Sequence, residues 1–158
     1  MKKLKIYIET SVWNFLFADD APEKKVVTEK FFAQLTDRKY ELYASEVVLA
    51  EIGDAPAGKR DLLMGAVEQH GPEILYLDNE IRTVAEAYLQ NGLLSPKQSN
   101  DILHLAFASV NGMDIILTWN MKHLVKRKTQ LIVEVTNRML GYRGLEIRTP
   151  GEMMEDDV

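Results

Sequence analysis

Carboxylates and one amide stand where short apolar runs of this sequence give way to new segments. Glu9 follows Leu4-Lys5-Ile6-Tyr7-Ile8, and Glu46 and Glu51 follow Glu41-Leu42-Tyr43-Ala44. Asp101 opens the apolar stretch Ile102 to Val110, and Asn120 ends Ile116-Leu117-Thr118-Trp119-Asn120. Carboxylates gathered at one place repel each other, and burial strengthens the repulsion. A hard divalent ion such as Mg²⁺ or Mn²⁺ relieves it, prefers oxygen ligands and keeps several waters. An ion held this way stabilises charge on phosphate oxygens and lowers the pKa of an attacking water, which is the chemistry of phosphoryl transfer. Glu46 and Glu51 are about 140° apart on a helix turning ~100° per residue, so only one can face such a pocket. Glu46 sits in the first turn behind Ser45, where a carboxylate suits the helix dipole, and that leaves Glu51 as the candidate.

Other chemistries lack their residues. No cysteine is present, which excludes a disulfide scaffold, a thiolate zinc site and a cysteine nucleophile together. No glycine-rich phosphate loop and no Gly-x-Ser-x-Gly elbow occurs, and His70, His104 and His123 have no triad setting. Each candidate also has an ordinary reading. Glu9 and Asp101 could serve as acids at helix N-termini. His104 is three residues beyond Asp101, within same-face spacing, yet its neighbours Leu103, Leu105 and Phe107 favour simple packing. Trp13, Phe15, Phe17 and Trp119 could stack bases, but in apolar company they read first as core.

The elements that must position these groups alternate. Strands are expected over Leu4–Ile8, Glu41–Ala44, Ile74–Leu77, Met113–Leu117 and Leu145–Ile147. Helical spacing runs from Pro22 to Arg38, from Ser45 (an N-cap) through Ile52, over Lys59–Gln69, from Asp78 (a cap) to Leu89, from Ser99 to Val110 and over Leu131–Leu140. Strands separated by helices imply βαβ crossovers and a parallel sheet covered on both faces, with ligands outside the carboxyl ends of the strands near the point where strand order reverses. The chain has 158 residues, 46% of them hydrophobic and 27% charged, which fits one domain with its own core. We expect that domain over residues 1–150, followed by an acidic, frayed tail over 151–158. Glu9 interrupts the basic start before a signal-peptide core can form, and no apolar run approaches the ~18 residues of a membrane span. The expectation is a cytoplasmic protein.

The net charge of −5 is unevenly spread. Between Lys122 and Arg148 seven basic residues face only Glu134 and Glu146. The run Lys126-Arg127-Lys128, with Lys122, could grip phosphates, although a solvated helix end is its plainer reading.

At these residues the chain resembles the PIN-domain nucleases, the compact family that includes VapC-type toxins of bacterial toxin–antitoxin pairs. The likeness spans nearly the whole chain and rests on Ile6-Tyr7-Ile8-Glu9-Thr10-Ser11, Ser45-Glu46-Val47-Val48-Leu49-Ala50-Glu51-Ile52, Asn100-Asp101-Ile102-Leu103-His104-Leu105-Ala106 and Ile116-Leu117-Thr118-Trp119-Asn120. It implies a three-layer α/β/α sandwich around a five-stranded parallel sheet, with the first and fourth strands adjacent. By the resemblance, Glu9, Glu51, Asp101 and Asn120 fall on the catalytic, metal-holding positions for Mg²⁺ or Mn²⁺. Thr10, Ser11 and Thr118 would orient ligands or water. The chain departs from the family twice: Glu9 replaces the usual Asp, and neutral Asn120 stands where an acid is common. The function implied is a divalent-metal-dependent endoribonuclease acting on RNA, with a cognate antitoxin and homodimer formation as its partners. The alternatives are a PIN-like RNA- or protein-binding module without turnover and, more remotely, a small-molecule phosphohydrolase on a similar sheet.

Overall fold

The computed structural model describes residues 2–35, 39–93 and 95–155. Strand β1 (Leu4–Ile8) leads into helices α1 (Thr10–Phe15) and α2 (Pro22–Gln34). Strand β2 (Tyr40–Ser45) is followed by α3 (Glu46–Gly53) and α4 (Ala57–His70), then β3 (Glu73–Leu75) and α5 (Asn79–Gln90). A 3₁₀ turn at Pro96–Gln98 precedes α6 (Ser99–Val110), and the chain closes with β4 (Ile115–Leu117), α7 (Arg127–Leu140), β5 (Glu146–Arg148) and α8 (Pro150–Glu155).

Local chemistry explains most boundaries. The Ser45 hydroxyl accepts from the Val47 and Val48 N–H groups at 3.2 and 3.3 Å, and Asp78 accepts from the Ile81 N–H at 2.8 Å, so both are N-caps. Gly141 ends α7 at φ 84°, a left-handed conformation that suits glycine. Helix α7 starts at Arg127, four residues before the expected Leu131, because its first turn is basic and carries little apolar signal. The expected end of α2 at Arg38 lies outside the described residues.

The five strands form one parallel sheet in the order β3-β2-β1-β4-β5. Strand β1 pairs with β2 through Ile6↔Leu42 and with β4 through Ile8↔Leu117. Right-handed crossovers place α1 to α4 on one face and α5, α6 and α7 on the other. The packing agrees, with α5 against α6 and α7. Ile6, Tyr7 and Ile8 of β1 and Ile116 and Leu117 of β4 are fully buried, as expected for central strands covered on both faces.

A frayed tail is expected over 151–158; Pro150–Glu155 is instead a helix, and residues 156–158 lie outside the described residues. Met153 is buried, α8 packs on α2, and Thr149 and Glu152 exchange hydrogen bonds at 3.1 Å. One apolar anchor and a local cap outweigh the acidic composition of this segment.

Candidate functional site

Strand order reverses between β1 and β4, so their carboxyl ends flank a crevice. Glu9 leaves β1 at that point, tied to β4 by its N–H to the Leu117 carbonyl at 3.0 Å. It is the residue before α1, yet its side chain makes no cap to that helix. The carboxylate turns instead toward β4. Its Oε1 accepts from the Ser11 hydroxyl at 2.5 Å and the Thr118 hydroxyl at 2.6 Å. Those hydroxyls are fixed in turn, since the Trp119 N–H donates to Ser11 at 2.8 Å and the Asn120 N–H to Thr118 at 2.9 Å. Glu9 is thereby buried with its carboxylate held from α1 and from the residue that follows β4.

Glu51 comes in from the far end of α3. Its Oε1 accepts from the Thr10 hydroxyl at 2.7 Å and lies 2.6 Å from His104 Nε2. Glu46 points elsewhere and accepts from the Leu77 N–H at 3.1 Å, as the helical angle requires. Burial pushes the Glu51 carboxyl up, but hydrogen bonding and charge from His104, with help from Thr10 and Asn100, outweigh it and hold the group below its ordinary value.

Asp101 stands in the first turn of α6, half-buried, and its Oδ1 accepts from the Asn120 amide at 3.3 Å. Burial raises its carboxyl above the ordinary value, and the Glu9 charge adds to the rise. Asn120 directs its amide oxygen to the His123 N–H at 3.0 Å, which aims the amide nitrogen at Asp101.

Ligand atoms of Glu9, Glu51 and His104 all lie within 4.8 Å of one another. His104 is fully buried, with Nδ1 2.6 Å from the Tyr7 hydroxyl. Burial lowers the affinity of its ring for a proton, yet the Glu51 hydrogen bond and the charges of Glu9, Glu51 and Asp101 prevail and raise it above the ordinary value. Sequence reasoning favoured plain packing for His104 and gave Tyr7 no role. The available signal was the Asp101–His104 spacing of three within an apolar helix.

The donors suit a hard cation. All four hydroxyl and imidazole bonds to Glu9 and Glu51 land on Oε1, and carboxylate oxygens are the ligands such an ion prefers. Among the described residues, no lysine or arginine forms an ion pair with Glu9, Glu51 or Asp101. Asp101 is raised by burial first and by the Glu9 charge second, with His104 and His123 offsetting part of the rise.

Lys122, Lys126, Arg127 and Lys128 are exposed, the last three at the start of α7. Trp13 is core, whereas Phe15 and Trp119 are half-buried, their ring centroids 5.9 Å apart, with the Lys24 ammonium 5.2 and 5.5 Å from them. A concavity of about 960 Å³, lined by Asp114, Tyr142, Glu146 and Arg148 among others, contains none of the clustered acids.

No known family's sequence profile matches the chain, and no curated protein does. In fold it is similar to a chain of the crystal structure of VapBC2 from Rickettsia felis bound to a DNA fragment from their promoter. The match covers 92% of this chain and 98% of that one, with a TM-score of 0.60 and 14% identity. No helix among the described residues is long and apolar enough to cross a membrane.

Proposed function

We propose that this chain is a PIN-type, Mg²⁺- or Mn²⁺-dependent endoribonuclease, the toxin of a toxin–antitoxin pair. The observation that carries the reading is the convergence of Glu9 and Glu51 at the switch point, with Asp101 joined to the same end of the sheet through Asn120. The likeness in fold to a VapBC2 chain supports it. Glu9, Glu51 and Asp101 would hold the ion; when bound, it supplies charge stabilisation at the phosphate and a more acidic water. Thr10, Ser11 and Thr118 keep one oxygen of each glutamate occupied, so the carboxylates would meet the ion in fixed orientations. Asn120 orients Asp101 through its amide nitrogen. Lys122, Lys126, Arg127 and Lys128 would grip the phosphates of RNA, and an antitoxin and a second copy of the chain are its partners in this reading.

A binding module without turnover is the second reading, favoured by the neutral Asn120, whose amide oxygen is engaged by the His123 N–H. Cleavage of RNA in Mn²⁺ by the wild type, Glu9→Gln and Asp101→Asn separates the two. The nuclease reading expects wild-type cleavage, with each variant slower by more than the roughly 10- to 100-fold typical of residues that only orient ligands. Equal degradation by all three sinks the assigned site, and RNA retained uncut by the wild type selects the binding module.

A further inference from the structure

A buried chain of hydrogen bonds runs from the start of α3 to its end by way of two other elements. Ser45 Oγ lies 2.7 Å from the Tyr7 hydroxyl, Tyr7 lies 2.6 Å from His104 Nδ1, and His104 Nε2 lies 2.6 Å from Glu51 Oε1. Ser45, Tyr7 and His104 are each fully buried, so water does not compete for these bonds.

Counting donors gives the chain a direction. Ser45 Oγ already accepts from the Val47 and Val48 N–H groups, which occupies both its lone pairs. Its own proton therefore goes to Tyr7. The Tyr7 hydroxyl, accepting that proton, donates its own to His104 Nδ1. With Nδ1 an acceptor, the ring proton sits on Nε2 and is donated to the Glu51 carboxylate. Protonation of the ring would reverse the Tyr7 link but leave the Nε2–H on Glu51.

We infer that His104 is a positioning residue and not a metal ligand: Ser45 and Tyr7 hold its ring so that Nε2–H grips Glu51 Oε1 and fixes the orientation of that carboxylate for a cation. Both ring nitrogens are engaged by the protein, and no lone pair is left for an ion. The inference rests on the metal-site reading above for its purpose, while the chain itself is a property of the folded protein.

The test combines ¹⁵N–¹H spectra of the His104 ring with Mn²⁺ binding by calorimetry, on the wild type and Tyr7→Phe. The wild type is expected to carry its proton on Nε2 and to keep it when Mg²⁺ is added. Tyr7→Phe, which takes the hydrogen bond away from Nδ1, is expected to shift the Nδ1 resonance and weaken Mn²⁺ binding by roughly tenfold or more. A bare Nε2 in the wild type, or loss of the Nε2 proton on adding Mg²⁺, overturns the inference whether or not the variant folds. Ring signals and Mn²⁺ affinity both unchanged in a folded Tyr7→Phe overturn it too. Wild-type protein that binds no Mn²⁺ defeats the nuclease reading and the purpose assigned to the chain; the ring spectra then still decide the hydrogen-bond chain.

Discussion

At Asp101 stability and the proposed function oppose each other. Its carboxyl is raised by burial and by the Glu9 charge, so the ionised form is disfavoured in the fold. A raised acid means that the folded state binds more protons than the unfolded one, so this residue adds stability as pH falls through its folded pKa toward the ordinary value. At neutral pH its charge is a penalty. Asp101→Asn is therefore expected to raise the melting temperature of the ion-free protein at pH 7 and to lose that advantage near pH 4, read by calorimetry at both values. The same variant should bind Mn²⁺ more weakly than the wild type. Glu51 runs the other way: its carboxyl is held low, so the stability it contributes fades as pH falls through its folded pKa.

Among the elements, α5, α6 and α7 are joined by a buried polar knot rather than by apolar packing alone. The Tyr88 hydroxyl meets Asn137 Oδ1 at 2.5 Å and Ser109 Oγ at 2.8 Å, and the Asn137 amide donates to Ser109 at 2.9 Å. Burial pushes the Tyr88 hydroxyl up to about 12, so it remains a neutral donor throughout the useful pH range. Tyr88→Phe leaves a buried amide oxygen without its donor, a loss of about 1–3 kcal/mol. At roughly 2–4 °C per kcal/mol for a chain of this size, the melting temperature should drop correspondingly while Mn²⁺ affinity stays unchanged. A fall in both would tie this knot to the crevice across α6.

For the whole molecule, an ion that binds only the folded state must stabilise it. At an ion concentration a hundred times Kd the gain is about 2.7 kcal/mol, so Mn²⁺ should raise the unfolding midpoint and a chelator should reverse the rise. Glu9→Gln with Asp101→Asn together should abolish that response. Salt provides a further check, because phosphate contacts from Lys122, Lys126, Arg127 and Lys128 would make RNA affinity fall steeply with ionic strength. Replacing those four with glutamine should flatten the salt dependence and leave the Mn²⁺ response intact.

Much of this architecture was legible in local pattern. Period and caps located β1, α3, α5 and α6, because Ser45, Asp78 and the apolar spacing act within a few residues of themselves. The choice of Glu51 over Glu46 needed only the helical angle. Strand ends were less legible: β4 covers Ile115–Leu117 rather than Met113–Leu117, since the Met113 and Asp114 N–H groups bond to Ala108 and Lys5 carbonyls at the turn. What the chain determines by itself is which groups stand at strand ends and which face of each helix is apolar. Only the tertiary structure decides that β1 lies beside β4, so that Ser11 and Thr118, 107 positions apart, close on one Glu9 oxygen. It alone turns His104 from a packed ring into a donor to Glu51. Hydrogen bonds are satisfied by whatever lies within 3 Å, and sheet order, which no local period encodes, sets that neighbourhood.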